Sequence, residues 1–180
     1  IPSPAKHCLS AQDDLEPVLR RQGEALAPDS LAFGTELIRV EQDAEGITAT
    51  VRAASGVQQV RAQYLIAADG ARSPVRRALG IPMHGVSQVY RSVNVLINAD
   101  LRPWVQDRPA AIYIIQREHL RCTFLTINAV NRWGFLINLP LDASFEPYTP
   151  ERCAEVVRLA AGVPDLAVGI LGGDPRGGAA

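Results

Sequence analysis

Residues 64–76 constrain the fold of this chain more tightly than any other stretch. They run Tyr64-Leu65-Ile66-Ala67-Ala68-Asp69-Gly70-Ala71-Arg72-Ser73-Pro74-Val75-Arg76. Tyr64–Ala68 has no polar alternation, so it reads as a short strand buried on both faces, as in a parallel α/β sheet, with Leu65–Ala68 either parallel to a neighbour or left exposed where a missing strand belongs. Asp69 and Gly70 turn the backbone, the glycine because no Cβ obstructs an unusual dihedral. Ser73 is a good N-cap, and Pro74 takes the first helical position, where a missing N–H costs nothing. Gly80 and Pro82 stop the helix after Leu79. In an α/β fold, ligands bind in the crevice beyond the carboxyl ends of the strands, where Asp69 would point. Ala67 and Ala68 permit close approach, and Arg72 and Arg76 bring positive charge to the helix start. Such a site suits a ribityl or pyrophosphate group. The competing reading is an ordinary strand–turn–helix with a surface Asp-Gly turn. An Asp-Gly pair alone carries nothing; the coincidence of the other residues carries the site.

The elements before this stretch are local and short. Ser10 caps a helix over Ala11–Arg21, with Asp13, Asp14 and Glu16 at its positive end and Leu15, Val18 and Leu19 on one side. Pro17 lies inside it and is expected to bend or shorten it, and Gly23 to end it. Phe33–Gln42 reads as a strand. Ile47, Ala49, Val51 and Ala53 alternate with polar neighbours after the turn Ala44-Glu45-Gly46, and Val57–Ala62 can pair with them. The linker Met83–Gln88 marks a lobe boundary. Beyond it Val89–Asn98, Ala111–Gln116, Arg121–Asn128 and Trp133–Leu139 read as strands of one antiparallel sheet. A helix follows, capped by Thr149, opened by Pro150 and stopped by Gly162. After Pro164 one further strand leads into a Gly-rich tail, expected to be mobile.

The stretch 64–76 resembles the Asp-Gly motif of the para-hydroxybenzoate hydroxylase family, the class A flavin monooxygenases. In that family the motif lies between a GxGxxG fingerprint and a later Gly-Asp motif, and contacts FAD and NAD(P)H. Gln63 departs from the pattern, which usually has a charged residue there. Ser10–Leu19 resembles the family helix whose Gln or Arg touches the flavin, and Phe33–Leu37 the strand that passes the adenine. Ser92–Leu96, Asp100-Leu101, Arg108-Pro109 and Arg132-Trp133 resemble the substrate lobe of members acting on phenols and aromatic polyketides. The resemblance therefore implies FAD contacts at Gln12, Leu37 (through its backbone), Asp69, Gly70 and Arg76. It names no catalytic side chain and no metal ligand.

The resemblance implies an α/β (α+β) fold. Residues 1–82 would be the middle of an FAD-binding domain, 83–165 a substrate-binding antiparallel sheet with a helix, and 166–180 an incomplete return segment. No GxGxxG occurs in the sequence, and no Gly-Asp-Ala-Ala-His segment follows the helix at 150–161. With Ile1 rather than Met in first place, the chain is expected to be cut at both ends of the family pattern and inactive alone. The whole protein would be an FAD-dependent monooxygenase that hydroxylates a phenolic or polyketide aromatic substrate using NAD(P)H and dioxygen. The flavin would carry the chemistry and the protein the positioning and water exclusion. Val93, Val95, Ile112, Ile114, Phe124 and Phe135 are expected to offer a planar substrate an apolar roof. The alternatives are a related flavoprotein reductase or halogenase, and a non-catalytic remnant that binds a ligand or partner.

Other features narrow the class by exclusion. The formal net charge is −1, so no basic field points to nucleic acid or anionic lipid. No apolar run approaches the length of a membrane span. Cys8, Cys122 and Cys153 are widely spaced and odd in number, which argues against disulfides or zinc and for buried thiols in a reducing cytoplasm. His7, His84 and His119 show no ligand spacing. Asp13, Asp14 and Glu16 splay apart on a helix and read as a solvated first turn rather than paired catalytic carboxylates. Tyr113 and Trp133 read as sheet packing. Apolar surface beside the missing segments is expected to favour a homodimer.

Overall fold

A computed structural model describes residues 10–86, 88–128 and 130–172. His7, Cys8 and the Gly-rich tail lie outside the described residues. The fold is α+β. Its elements are α1 (Gln12–Leu26), β1 (Glu36–Asp43), β2 (Gly46–Ala53), β3 (Gly56–Ala62), α2 (Pro74–Ala78), β4 (Arg91–Asn98), α3 (Arg102–Val105), β5 (Ile112–Arg117), β6 (Leu120–Thr126), β7 (Arg132–Leu139), α4 (Pro150–Ala161) and β8 (Gly169–Gly172). The described residues form two compact units. One is Pro17–Gly85; the other joins the described parts of Ile1–Glu16 and Val86–Ala180. No described helix is long and apolar enough to cross a membrane.

The larger unit is built on the sheet β5-β6-β7-β4-β8, every neighbouring pair antiparallel. The period-two pattern sends Val93, Val95 and Ile97 of β4 to the same face as Cys122 and Phe124 of β6 and Trp133, Phe135 and Ile137 of β7. These residues are buried with Cys153, Val156, Val157 and Ala160 of α4 in one core. Helix α4 starts and stops where local chemistry requires. The Thr149 hydroxyl accepts from the Arg152 N–H at 3.3 Å, and Gly162 closes the helix at φ +73°. Trp133 and Tyr113 meet edge to face at 6.1 Å, and the buried indole N–H donates to the Ala99 carbonyl at 3.0 Å. Burial pushes the Cys122 thiol up to about 11 and the Cys153 thiol in the same direction, as expected of inert core cysteines.

This packing corrects the expected substrate roof. Val93, Val95, Phe124 and Phe135 point into the core under α4, whereas Ile112 and Ile114 are exposed. Alternation cannot separate the two faces when both carry apolar residues, and α4 decides which one is covered. The opposite face presents half-buried Asn94, Leu96, Thr123, Leu125 and Leu136 beside Ile112 and Ile114.

In the smaller unit β1, β2 and β3 form an antiparallel meander joined by tight turns. Its buried apolar side chains, among the described residues, are Ala49 and Val75, while Val57, Val60, Tyr64 and Ile66 are exposed. The segment Tyr64–Ala68 joins no ladder among the described residues, and Tyr64 and Ile66 are exposed, so of the two expected arrangements the parallel pairing is not formed and the segment stands exposed. Two-residue turns close β1–β3 on one another antiparallel, and a parallel strand needs a neighbour delivered by a longer crossover. Helix α1 also departs from expectation. It passes Pro17 and Gly23 and runs to Leu26. Proline there deprives only the Asp13 carbonyl of its partner, and with no residue of α1 buried, water can satisfy that oxygen.

Arg61 clamps the meander through paired hydrogen bonds to Asp43, at 2.6 and 2.8 Å. The Arg61 guanidinium, helped by the Glu45 and Gly46 N–H groups, holds the Asp43 carboxyl down to about 2, from the usual 3.8. A depressed carboxylate contributes its stability above its unfolded pKa and loses it as the pH falls through the folded one. The clamp should therefore hold to about pH 4 and open between about pH 4 and 2. Carbon NMR of the Asp43 carboxyl should show a midpoint near 2 that returns toward 3.8 in Arg61→Ala. A midpoint near 3.8 in the unaltered chain would contradict the clamp.

Candidate functional site

Helix α2 is short, and its start is over-determined. The Ser73 hydroxyl oxygen accepts from the Arg76 N–H at 2.9 Å, and Asp69 Oδ2 accepts from the Val75 N–H at 3.1 Å. Pro74 occupies the opening position, as its fixed φ favours. A hydrogen bond from the Ser73 hydroxyl is the largest influence on Asp69. With the Val75 N–H and the Arg76 charge, it holds the Asp69 carboxyl below its ordinary value. Asp69 is thus a carboxylate on an exposed turn, with Oδ2 engaged by the Val75 N–H.

Gly70 lies at φ +78°, and a Cβ built on it would meet nothing within 4 Å. The glycine is required by backbone conformation rather than by crowding, and it leaves the peptide open to an approaching group. Arg76 Nη1 donates to the Ala71 carbonyl at 2.9 Å, while its buried Nε has no partner among the described residues. A buried, unpaired donor on a charged group costs free energy unless some further acceptor meets it.

Beside this turn lies a cleft of about 590 Å³. Glu36, Leu37, Arg39 and Val40 of β1 line one side, Leu65 and Asp69 of the segment before α2 another, and Val75 and Ala78 of α2 a third. β1 is an edge strand whose register slips between Leu37 and Arg39. An edge strand keeps alternate backbone N–H and C=O groups free of its own sheet, so a ligand in the cleft could bond the backbone near Leu37. The cleft is therefore mainly apolar, with the charged Glu36, Arg39 and Asp69 among its lining residues. That combination suits a flat ring with a hydroxylated chain.

The fold brings Leu37 and Asp69, far apart in sequence, to one cleft. Gly70 and Arg76 belong to the same turn and helix but do not line it. Gln12 lies in the first turn of α1, in the other unit, where its amide Nε2 donates to Glu16. Sequence reasoning did not foresee two things. The Asp69 carboxylate doubles as a cap for α2, although its spacing from Ser73 and Val75 could have suggested this. Arg132 pairs with Asp13 and Asp14, and no local signal could have shown that.

Comparison with known proteins gives a consistent result. A family model described as "FAD binding domain" matches residues 2–175. Tetracenomycin A2 monooxygenase-dioxygenase of Streptomyces glaucescens is 39% identical over 180 residues, covering 92% of this chain and 31% of that protein. Among solved structures, the flavin-dependent monooxygenase PieE in complex with FAD and substrate superposes with a TM-score of 0.84 at 30% identity, over 96% of this chain and 31% of that one. The ternary complex of aklavinone-11 hydroxylase with FAD and aklavinone gives 0.82 at 28% identity, over 96% and 33%. The chain thus spans about a third of the length of the curated relatives it matches.

Proposed function

This chain belongs to the FAD binding domain family, and on that premise we propose that the whole protein is an FAD-dependent monooxygenase. Its substrate is a phenolic or polyketide aromatic, and its co-substrates are NAD(P)H and dioxygen. One observation carries the reading: Leu37 of the edge strand β1 and the Asp69 carboxylate meet at a single, mainly apolar cleft, which Glu36 and Arg39 also line. The residues fit the flavin nucleotide, because Asp69 keeps free acceptor positions, Gly70 leaves its peptide open, and Arg76 holds an unpartnered buried donor.

When bound, the flavin would supply the redox chemistry linking NAD(P)H, dioxygen and the ring, with one oxygen atom entering the product and the other leaving as water. The side chains here bind and orient. Asp69 accepts from a ribityl or ribose hydroxyl, Gly70 admits the chain of the cofactor, and the backbone around Leu37 contacts the adenine. Arg76 supplies charge near α2, and Gln12 meets the flavin from the start of α1. Residues 1–82 serve the cofactor, 83–165 form the substrate sheet, and 166–180 begin the return. On that sheet the face with Leu96, Leu125, Leu136, Ile112 and Ile114 is the one suited to cover a planar substrate and keep water out.

The test is turnover of the full-length protein with FAD, NADPH or NADH, and a hydroxyanthraquinone-type substrate under ¹⁸O₂. One labelled oxygen per product, with one NAD(P)H consumed, is the expected result. Reduction of substrate without label would indicate a reductase. Halide incorporation would indicate a halogenase, and failure of NAD(P)H to bleach the flavin would leave a binding module.

A further inference from the structure

Arg132 is the first residue of β7, and its place is set before its side chain acts. Asn128 Oδ1 accepts from the N–H groups of Val130, Asn131 and Arg132 at 2.9–3.1 Å, which fixes the loop that opens the strand. Arg132 also stands opposite Asn98 in the β4–β7 ladder. From this anchored position its guanidinium reaches residues 119 positions earlier in the chain. Nη2 meets Asp13 Oδ2 at 2.5 Å, and Nη1 lies 3.8 Å from Asp14 Oδ2. Adjacent residues on a helix splay apart, and this parting of Asp13 from Asp14 lets the two ends of one planar fork address both.

The first turn of α1 has little else to hold it. No residue of α1 is buried, and Ala11 just before it is the nearest buried side chain. The Ala11 carbonyl accepts from the Asp14 and Leu15 N–H groups, so the burial of Ala11 sets where the helix begins but not its rotation. Two acidic residues paired with one anchored arginine restrain that rotation, and Gln12, whose amide donates to Glu16, adjoins them.

We propose that Arg132 is a positioning residue: by binding Asp13 and Asp14 it orients the first turn of α1 and so presents the Gln12 amide to the flavin. The proposal rests on the reading of Gln12 as a flavin contact. Arg132 acts through that contact and does not itself touch the cofactor. The Arg132 side chain is 24% exposed against 63% and 62% for its partners, so the pair is only partly screened.

The experiment uses the full-length holoenzyme. Flavin fluorescence gives the FAD dissociation constant, and the visible spectrum of bound flavin reports its surroundings. Arg132→Gln should weaken FAD binding about fivefold, the equivalent of roughly 1 kcal/mol for a partly exposed pair, and shift the spectrum. Gln12→Ala should weaken binding comparably, and adding Arg132→Gln to it should cost less than about twofold more, because both changes act through one contact. Exchanging the charges, with Arg132→Asp and Asp13→Arg together, should recover most of the affinity lost in Arg132→Asp alone. A merely structural role would lower the melting temperature of Arg132→Gln while leaving the FAD constant and spectrum unchanged, and that result overturns the proposal. Full additivity of Arg132→Gln with Gln12→Ala overturns it equally. If Gln12→Ala itself leaves FAD binding unchanged, the reading of Gln12 fails and the proposal falls with it. A weakened Gln12→Ala beside an unaffected Arg132→Gln removes Arg132 alone.

Discussion

Phe135→Ala should destabilise the larger unit by about 3–5 kcal/mol, the cost of truncating a buried aromatic and leaving a cavity. Phe135 is fully buried at the middle of β7. It stands between Val95 of β4 and Phe124 of β6 in the ladders, and its ring lies 4.6 Å from that of Phe124. The sheet fixes its neighbours on both sides and α4 covers it, so the surroundings cannot collapse into the space. In a thermal melt the loss should exceed roughly 12 °C for a domain of this size. Ile114→Ala is the control. It lies on the opposite face, is 66% exposed, and should change stability by less than about 0.5 kcal/mol. Comparable melts for the two variants would mean that α4 covers the other face.

Asp69→Ala in the full-length protein should lower FAD affinity or the rate of flavin reduction by about ten- to hundredfold, from the loss of a charged hydrogen-bond acceptor. Sequence alone suggests that folding would be spared, because an exposed Asp leaves no core cavity. The structure changes that expectation. Asp69 also accepts from the Val75 N–H, so its removal should weaken the α2 start as well. Asp69→Asn separates the two effects. It retains one side-chain oxygen for the Val75 N–H but loses the charge and an acceptor. It should melt close to the unaltered protein yet still bind FAD weakly and be reduced slowly. Stopped-flow reduction by NADPH and NADH beside a melt would decide the matter. If Asp69→Asn is reduced normally and Asp69→Ala only melts early, Asp69 is a helix cap and nothing more.

Features whose causes lie within a few residues can be read from the amino-acid order. Ser73, Pro74, Thr149, Pro150 and Gly162 mark the starts of two helices and the end of the second, because caps and stops act on adjacent backbone groups. The antiparallel strands were legible from alternation and short turns, which set register locally. Asp69 and Gly70 stood out as a turn able to meet a ligand. The rest depends on long-range packing. Val93, Val95, Phe124 and Phe135 face the core and not a substrate, because only the docking of α4 distinguishes two apolar faces. Tyr64–Ala68 reads as a buried strand, but its pairing depends on a neighbour that its own composition cannot supply. Pro17 does not shorten α1, because solvent around an unburied helix can satisfy the carbonyl that proline orphans. Leu37 and Asp69 share a cleft, and Arg132 holds Asp13 and Asp14, only because the folded backbone closes long loops of chain. Such contacts depend on distances that no local pattern encodes, whereas a cap or a turn is complete within its own few residues.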